Sequence, residues 1–124
     1  MKKLLFYLTI FTGISTISQS CKKDRNNEPI IKTITESLSV NQSHQFDLGS
    51  FGDEEGASIS KQANHFSTSL VEWEINTGKI IYKYVPAINF VGTDEVEIKS
   101  ARGSNGASPN NKIILTKIKF IITN

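Results

Sequence analysis

The chain has 124 residues, enough for one domain, and its 14 Lys and Arg residues nearly balance its 12 Asp and Glu residues. The small positive excess belongs to Lys2 and Lys3, since the rest of the chain holds equal numbers of each sign. This balance argues against an electrostatic nucleic-acid binder. The single cysteine excludes an intrachain disulfide, so stability must come from packing.

The first predicted element, residues 1–20, is typical of a signal peptide. Lys2 and Lys3 precede the apolar run LLFYLTIFTGISTI, which is too short to span a bilayer comfortably. Ser18 and Ser20 supply the small side chains expected before a cleavage point. A buried amino-terminal helix is the alternative, and the polar stretch that follows the run disfavours it.

Cys21, the only cysteine, directly follows this cleavage point. Its position resembles the lipidated first residue of a bacterial lipoprotein, which implies a lipid-anchored protein of the cell envelope, at the outer membrane. Ser18 stands where that family usually has leucine, and Ser18 with Ser20 would also suit ordinary signal peptidase. An unmodified mature terminus is therefore the alternative.

Residues 21–29, CKKDRNNEP, are polar and predict a short flexible tether. The run resembles the Lys- and Asp-rich start that follows the lipid cysteine in many Bacteroidota lipoproteins. We therefore expect three parts: signal peptide 1–20, lipid-anchored tether 21–29 and a folded domain 30–124.

The domain shows short apolar runs of period two and no sustained helical period. The pattern predicts strands at 33–40, 45–48, 70–76, 79–85, 95–100 and 112–123, with 57–60 as a weaker candidate, and a hairpin turn at 76–78. An all-β, antiparallel sandwich of about seven strands follows. Large apolar and aromatic side chains are the core candidates: Phe46, Trp73, Tyr82, Tyr84, Phe90 and Phe120.

The most individual run is YVPAINFVGTDEVEIKS, residues 84–100, which we call the corner. It resembles the Y-T-P-x-x-N-F-x-G-T-D run of bacterial Ig-like and cadherin-like repeats found in adhesins. The matching residues are Tyr84, Pro86, Asn89, Phe90, Gly92, Thr93 and Asp94. The resemblance covers about half of the mature chain and implies an Ig-like/cadherin-like sandwich.

Five of these corner residues have a definite physical role. Pro86 lacks an N–H and ends ladder pairing, while Gly92 permits a backbone angle that other residues resist. Asn89, Thr93 and Asp94 can hydrogen bond to nearby backbone and fix the turn. The alternative makes Asn89 and Asp94 calcium ligands. No metal or other cofactor is expected, because Ala101 and Arg102 stand where the repeats commonly have Asp-Gly.

Other residue groups have simpler interpretations. The carboxylates of residues 53–55 suit a solvated loop better than a calcium site, and His44 and His65 match no zinc motif. Glu72 and Glu74 lie two residues apart, as on the wet face of a sheet, and only weakly suggest a glycoside hydrolase.

We expect a non-enzymatic envelope lipoprotein that binds a protein or a glycan, with no nucleic-acid partner. The alternatives are a polysaccharide-capture lipoprotein serving a transporter and a structural spacer in an envelope complex. An interaction module should expose an apolar or aromatic patch, and an enzyme should show a concave pocket with converging carboxylates.

Overall fold

The computed structural model describes residues 28–103, 106–107 and 109–124. The predicted signal peptide and the lipidation of Cys21 lie outside these residues, and Glu28 and Pro29 at the end of the predicted tether are exposed. No helix within the described residues is long and apolar enough to cross a membrane.

Seven strands form two sheets, and the prediction of an all-β chain is confirmed. The strands are β1 (Ile30–Ser39), β2 (His44–Ser50), β3 (Gly56–Lys61), β4 (Phe66–Glu74), β5 (Lys79–Pro86), β6 (Gly92–Arg102) and β7 (Lys112–Thr123). One sheet has the order β1-β7-β6-β3 and the other β2-β5-β4. This two-layer arrangement is consistent with a sandwich and is not a barrel.

The antiparallel prediction is wrong for one pair of strands. β1 runs parallel to β7, while the other neighbouring strands are antiparallel. A parallel pair needs a long connection between its strands. Here the connection consists of β2 to β6, because the first strand lies beside the last one.

The core lies between the two sheets and follows from the alternation of side chains along each strand. In β5, every second residue is buried, which places Tyr82 and Tyr84 on the inner face. They meet fully buried side chains from the other sheet, among them Phe120, whose ring stacks on that of Tyr84 with centroids 4.0 Å apart. Phe46 and Phe90 are partly buried and pack against this cluster.

Trp73 does not lie in the core, and the prediction that placed it there is wrong. It stands opposite the buried Ile80, so its side chain starts on the inner face. However, β4 is an edge strand, and Trp73 is next to its last residue. One flank of the indole has no neighbouring strand, and 47% of Trp73 remains exposed.

Candidate functional site

Three connections meet at one end of the two sheets, which we call the loop end. They join β2 to β3 (residues 51–55), β4 to β5 (75–78) and β6 to β7 (103–111, of which 103, 106–107 and 109–111 are described). The strand register places them together, because Ser50 lies opposite Lys79 and Gly56 lies opposite Ala101. Loops held by a rigid sheet scaffold are common positions for binding residues.

Hydrogen bonds brace the β2–β3 connection against the other two. The Phe51 N–H donates to the Gly78 carbonyl at 3.2 Å. The Glu55 carboxylate accepts from the Gly103 N–H at 2.6 Å and from the Gly52 N–H at 3.1 Å. These two hydrogen bonds hold the pKa of Glu55 below its ordinary value, and the bond from Gly103 has the larger effect. Among the described residues of the loop end, these hydrogen bonds therefore join separate segments of the chain.

Arg102 ties the two sheets together at this end. Its guanidinium donates to the Leu48 carbonyl at 2.7 Å and to the Ser50 carbonyl at 3.1 Å, and lies 3.9 Å from the centre of the Phe51 ring. Gly49 lets it approach, since a Cβ there would lie 2.9 Å from Nη2 and the backbone φ is +96°. In the sequence, Ala101 and Arg102 are notable only because they stand where the repeats commonly have Asp-Gly, and these contacts of Arg102 are not apparent.

The loop end also exposes large apolar side chains. Ile75, in the β4–β5 connection, is 89% exposed and lies two residues from Trp73. Exposure alone does not single out this end, because Ile88 in the β5–β6 connection at the opposite end is 81% exposed. What distinguishes the loop end is the tryptophan, a side chain enriched among residues that dominate binding energy.

Shallow concave surfaces open around the loop end. A depression of about 340 Å³ lies on the outer face of the three-stranded sheet beside Trp73, and its lining residues are Gln45, Glu72, Trp73, Glu74, Ile81 and Lys83. Another of about 330 Å³ lies along residues 52–55. A third of about 330 Å³ lies between the sheets, where Lys32 and Ile34 of β1 face Phe46 and Leu48 of β2.

Glu72 and Glu74 line the first depression but do not form a converging pair. Glu72 forms an ion pair with Lys83 at 2.5 Å, while Glu74 accepts a hydrogen bond from the Thr77 hydroxyl. Each carboxylate therefore has its own partner. A glycoside hydrolase needs two carboxyl groups that act on one bond from opposite sides, and these contacts give no support to that alternative.

In the corner, Asp94 joins three segments. It is only 3% exposed, and its carboxylate accepts from the N–H groups of Asn64 and His65 at 2.8 Å, from that of Glu95 at 2.9 Å and from the Tyr84 hydroxyl at 2.9 Å. Burial raises the pKa of Asp94, but these hydrogen bonds outweigh burial and hold it below its ordinary value. Donors contact both oxygens, an arrangement that favours the turn-fixing interpretation of Asp94 over the calcium-ligand alternative.

The rest of the corner is held by Asn89 and Phe90. Asn89 has a φ of 59°, and its N–H donates to the side-chain oxygen of Asn41 at 2.9 Å. Phe90 stacks on His65 with ring centroids 4.3 Å apart. Sequence reasoning had missed both partners, Asn41 and His65, because they lie far from the corner in the chain.

The remaining corner residues border this turn. Gly92 has a φ of +146°, and a Cβ there would come within 3.2 Å of the Phe90 ring. Pro86, the last residue of β5, is buried, and Thr93 is exposed on β6. No group of three or more His, Cys, Asp or Glu residues that could hold a metal occurs in the described part of the chain.

Comparisons with known proteins support the fold. No protein-family model matches the chain, and no similar curated protein was found. Among solved structures, PbICP-C in complex with falcipain-2 is similar, with a TM-score of 0.52 and 16% identity over 78% of this chain and 92% of that one.

Two further structures resemble the chain more distantly. The cysteine protease inhibitor EhICP2 from Entamoeba histolytica has a TM-score of 0.40 and 16% identity over 77% of this chain and 98% of that one. An endo-fucoidan hydrolase of glycoside hydrolase family 107 has a TM-score of 0.48 and 9% identity over 75% of this chain and 12% of that one. Both of these TM-scores are below 0.5, and the likeness to PbICP-C, at 16% identity, is one of fold alone.

Proposed function

We propose that this chain is a non-enzymatic interaction module of the bacterial cell envelope that binds a protein through its loop end. The observation that carries the proposal is the braced loop end beside the exposed Trp73 and Ile75. Binding energy concentrates in a few aromatic and arginine side chains, and a surface ordered before binding loses less entropy.

Two further observations support parts of this proposal. Seven strands in two sheets are compatible with the Ig-like/cadherin-like assignment that the corner suggests. PbICP-C, whose fold is similar, is a domain bound to a protein, falcipain-2. A protein partner is therefore the first choice for this chain.

The proposed lipid anchor at Cys21 would restrict where the partner lies. β1 begins at the loop end, because Ile30 stands opposite Ile114 near the start of β7. The nine residues 21–29 would leave the domain from this end and span at most about 30 Å when extended. A lipidated chain would thus keep its loop end close to the membrane surface, and we expect the partner to be another envelope protein there.

Replacing Trp73 with alanine tests the proposal. We expect the free energy of unfolding to fall by less than about 1.5 kcal/mol, because the side chain is half exposed, rather than by the roughly 3–5 kcal/mol of a central tryptophan. Binding should weaken at least about tenfold, as for an interface hot spot. The measurement is capture of partners from envelope extract with the full chain as bait, followed by titration of the captured protein.

Ile88→Ala is the matched control, because Ile88 is a similarly exposed apolar residue at the opposite end. It should leave capture unchanged. Equal capture by wild type and Trp73→Ala, with loss in Ile88→Ala, would contradict the proposal and move the binding surface to the other end.

A glycan is the second candidate ligand, and the depression beside Trp73 favours it. Trp73 lines it together with hydrogen-bonding side chains such as Gln45, Glu72 and Lys83, and small-ligand sites combine apolar surface with a few polar groups. Trp73 is the only tryptophan, so its fluorescence reports on this site alone. Saturable changes with envelope polysaccharides would favour glycan capture, and an unchanged signal together with protein capture would favour the first candidate.

A further inference from the structure

Three of the four edge strands are interrupted by irregular pairing, and one is not. The register shifts in β2 between Asp47 and Gly49, in β3 between Ile59 and Lys61, and in β4 between Phe66 and Thr68. Such bulges twist an edge and discourage another strand from adding to it. β1 instead pairs with β7 through ten consecutive residues without a shift, and it is the longest edge strand.

The side chains of β1 are arranged symmetrically about Ile34. Leu38 is buried, and Ile34 and Glu36 are half-buried, so Lys32, Ile34 and Glu36 share the inner face while Thr33 and Thr35 point outward. Inward-pointing charges usually protect an edge from pairing. Here, however, they have opposite signs and stand two residues on either side of Ile34.

We propose that the free edge of β1 pairs with β1 of a second copy of this chain, antiparallel, about a two-fold axis at Ile34. This register places Lys32 opposite Glu36 of the second copy, and the symmetry repeats the pair. Thr33 stands opposite Thr35 of the second copy on the outer face. Opposite charges and paired threonines are both favourable between neighbouring strands.

The charges select this register over its neighbours. Residues that stand opposite each other on neighbouring strands lie on the same face of a sheet. A two-fold axis perpendicular to the sheet must therefore pass at a residue of β1, and the alternative registers place it at other residues. An axis at Lys32 or Glu36 would set like charges opposite each other, which is destabilising. An axis at Thr33 or Thr35 would set a charge opposite Ile34. Only the axis at Ile34 places Lys32 and Glu36 each opposite a residue of opposite charge.

Two observations favour a partner at this edge. Within the part of the chain that the structure describes, neither Lys32 nor Glu36 takes part in an ion pair. In addition, Lys32 and Ile34 line the depression of about 330 Å³ that separates β1 from β2. A second copy at this edge would extend the sheet past the opening and supply both missing counter-charges.

Charge reversal on β1 tests the proposal. Sedimentation velocity of the full chain over a concentration series should show a monomer–dimer equilibrium. K32E and E36K should each weaken dimerisation about tenfold, because two symmetry-related pairs become repulsive. The double variant K32E/E36K restores opposite charges and should return to within about threefold of wild type. Circular dichroism should show the same fold in all four proteins, since both side chains lie at the edge.

Three results would overturn the proposal. One is a wild-type chain that stays monomeric at every concentration. Another is a double variant as weak as the single ones. The third is equal association of all four proteins, which would place the contact in another segment. Higher salt should weaken the wild-type dimer and strengthen the single variants, because screening acts on attraction and repulsion alike.

Discussion

Replacing Phe120 with alanine should lower the free energy of unfolding by about 3–5 kcal/mol. Phe120 is fully buried between the sheets, where its ring stacks on Tyr84 at 4.0 Å and lies 6.5 Å from the ring of Tyr82. Removing it leaves a cavity at the centre of a domain without a disulfide. Such a loss is a large part of the roughly 5–15 kcal/mol that stabilises a typical domain. Equilibrium unfolding in urea measures it.

Phe66→Ala is the matched control for this experiment. It makes the same chemical change at the first residue of the edge strand β4, where the ring is partly exposed. We expect a loss below about 1.5 kcal/mol. Equal losses in the two variants would contradict a core centred between the sheets on Phe120.

Replacing Asp94 with asparagine should lower the free energy of unfolding by about 2–4 kcal/mol. The carboxylate accepts four hydrogen bonds while almost completely buried. An amide of the same shape turns an NH₂ group toward some of these donors. At least one buried donor then loses its acceptor, at a cost of about 1–3 kcal/mol, and the other bonds lose their charge. Asp53→Asn, in an exposed loop, should change stability by less than about 0.5 kcal/mol.

The pH dependence of the stability lost in Asp94→Asn shows whether the loss comes from the missing charge or from the poor fit of the amide group. The pKa of Asp94 lies below its ordinary value in the folded chain. Its charge therefore contributes stability above the unfolded pKa of about 3.9, and this contribution disappears as the pH falls through the lowered folded value. The difference between wild type and Asp94→Asn should shrink as the pH is lowered from 7 to 3. A difference that stays constant over this range would contradict the assignment of the four bonds to an ionised Asp94.

Local alternation explains how much of the fold was predictable. In β5 and β7 the period-two pattern is regular, and the predicted strands 79–85 and 112–123 nearly match the observed ones. β3 was only a weak candidate, because its small and polar side chains carry little apolar signal and its pairing with β6 supplies the order. The parallel pairing of β1 with β7 was not predictable from local pattern, because it joins the two ends of the domain.

The error at Trp73 has a similar cause. Alternation correctly places its side chain on the same face as Ile80, but the sequence does not reveal that β4 is an edge strand. The face of the sheet that a side chain occupies does not fix its burial, because burial also depends on the elements that flank and cover the side chain. Trp73, on an edge strand and next to its last residue, is therefore half exposed, and this exposure makes it available for binding.

The candidate site depended still more on contacts between distant segments. The connections of the loop end could be located as turns, but several of the bonds that brace them join distant residues, such as Glu55 with Gly103, 48 positions apart, and Arg102 with Leu48, 54 positions apart. In the corner, Asp94 was recognised as a turn-fixing residue. Its partners Asn64 and His65 come from another connection, and no pattern near the corner indicates them.

The most direct test of the account is site-specific photocrosslinking of the full chain in cells. A photoreactive phenylalanine derivative at Ile75 would sit on the loop end, and the same group at Ile88 would sit on a similarly exposed position at the opposite end. The account predicts a discrete crosslinked envelope protein from position 75 that is absent from position 88. A discrete adduct from position 88 and none from position 75 would contradict it.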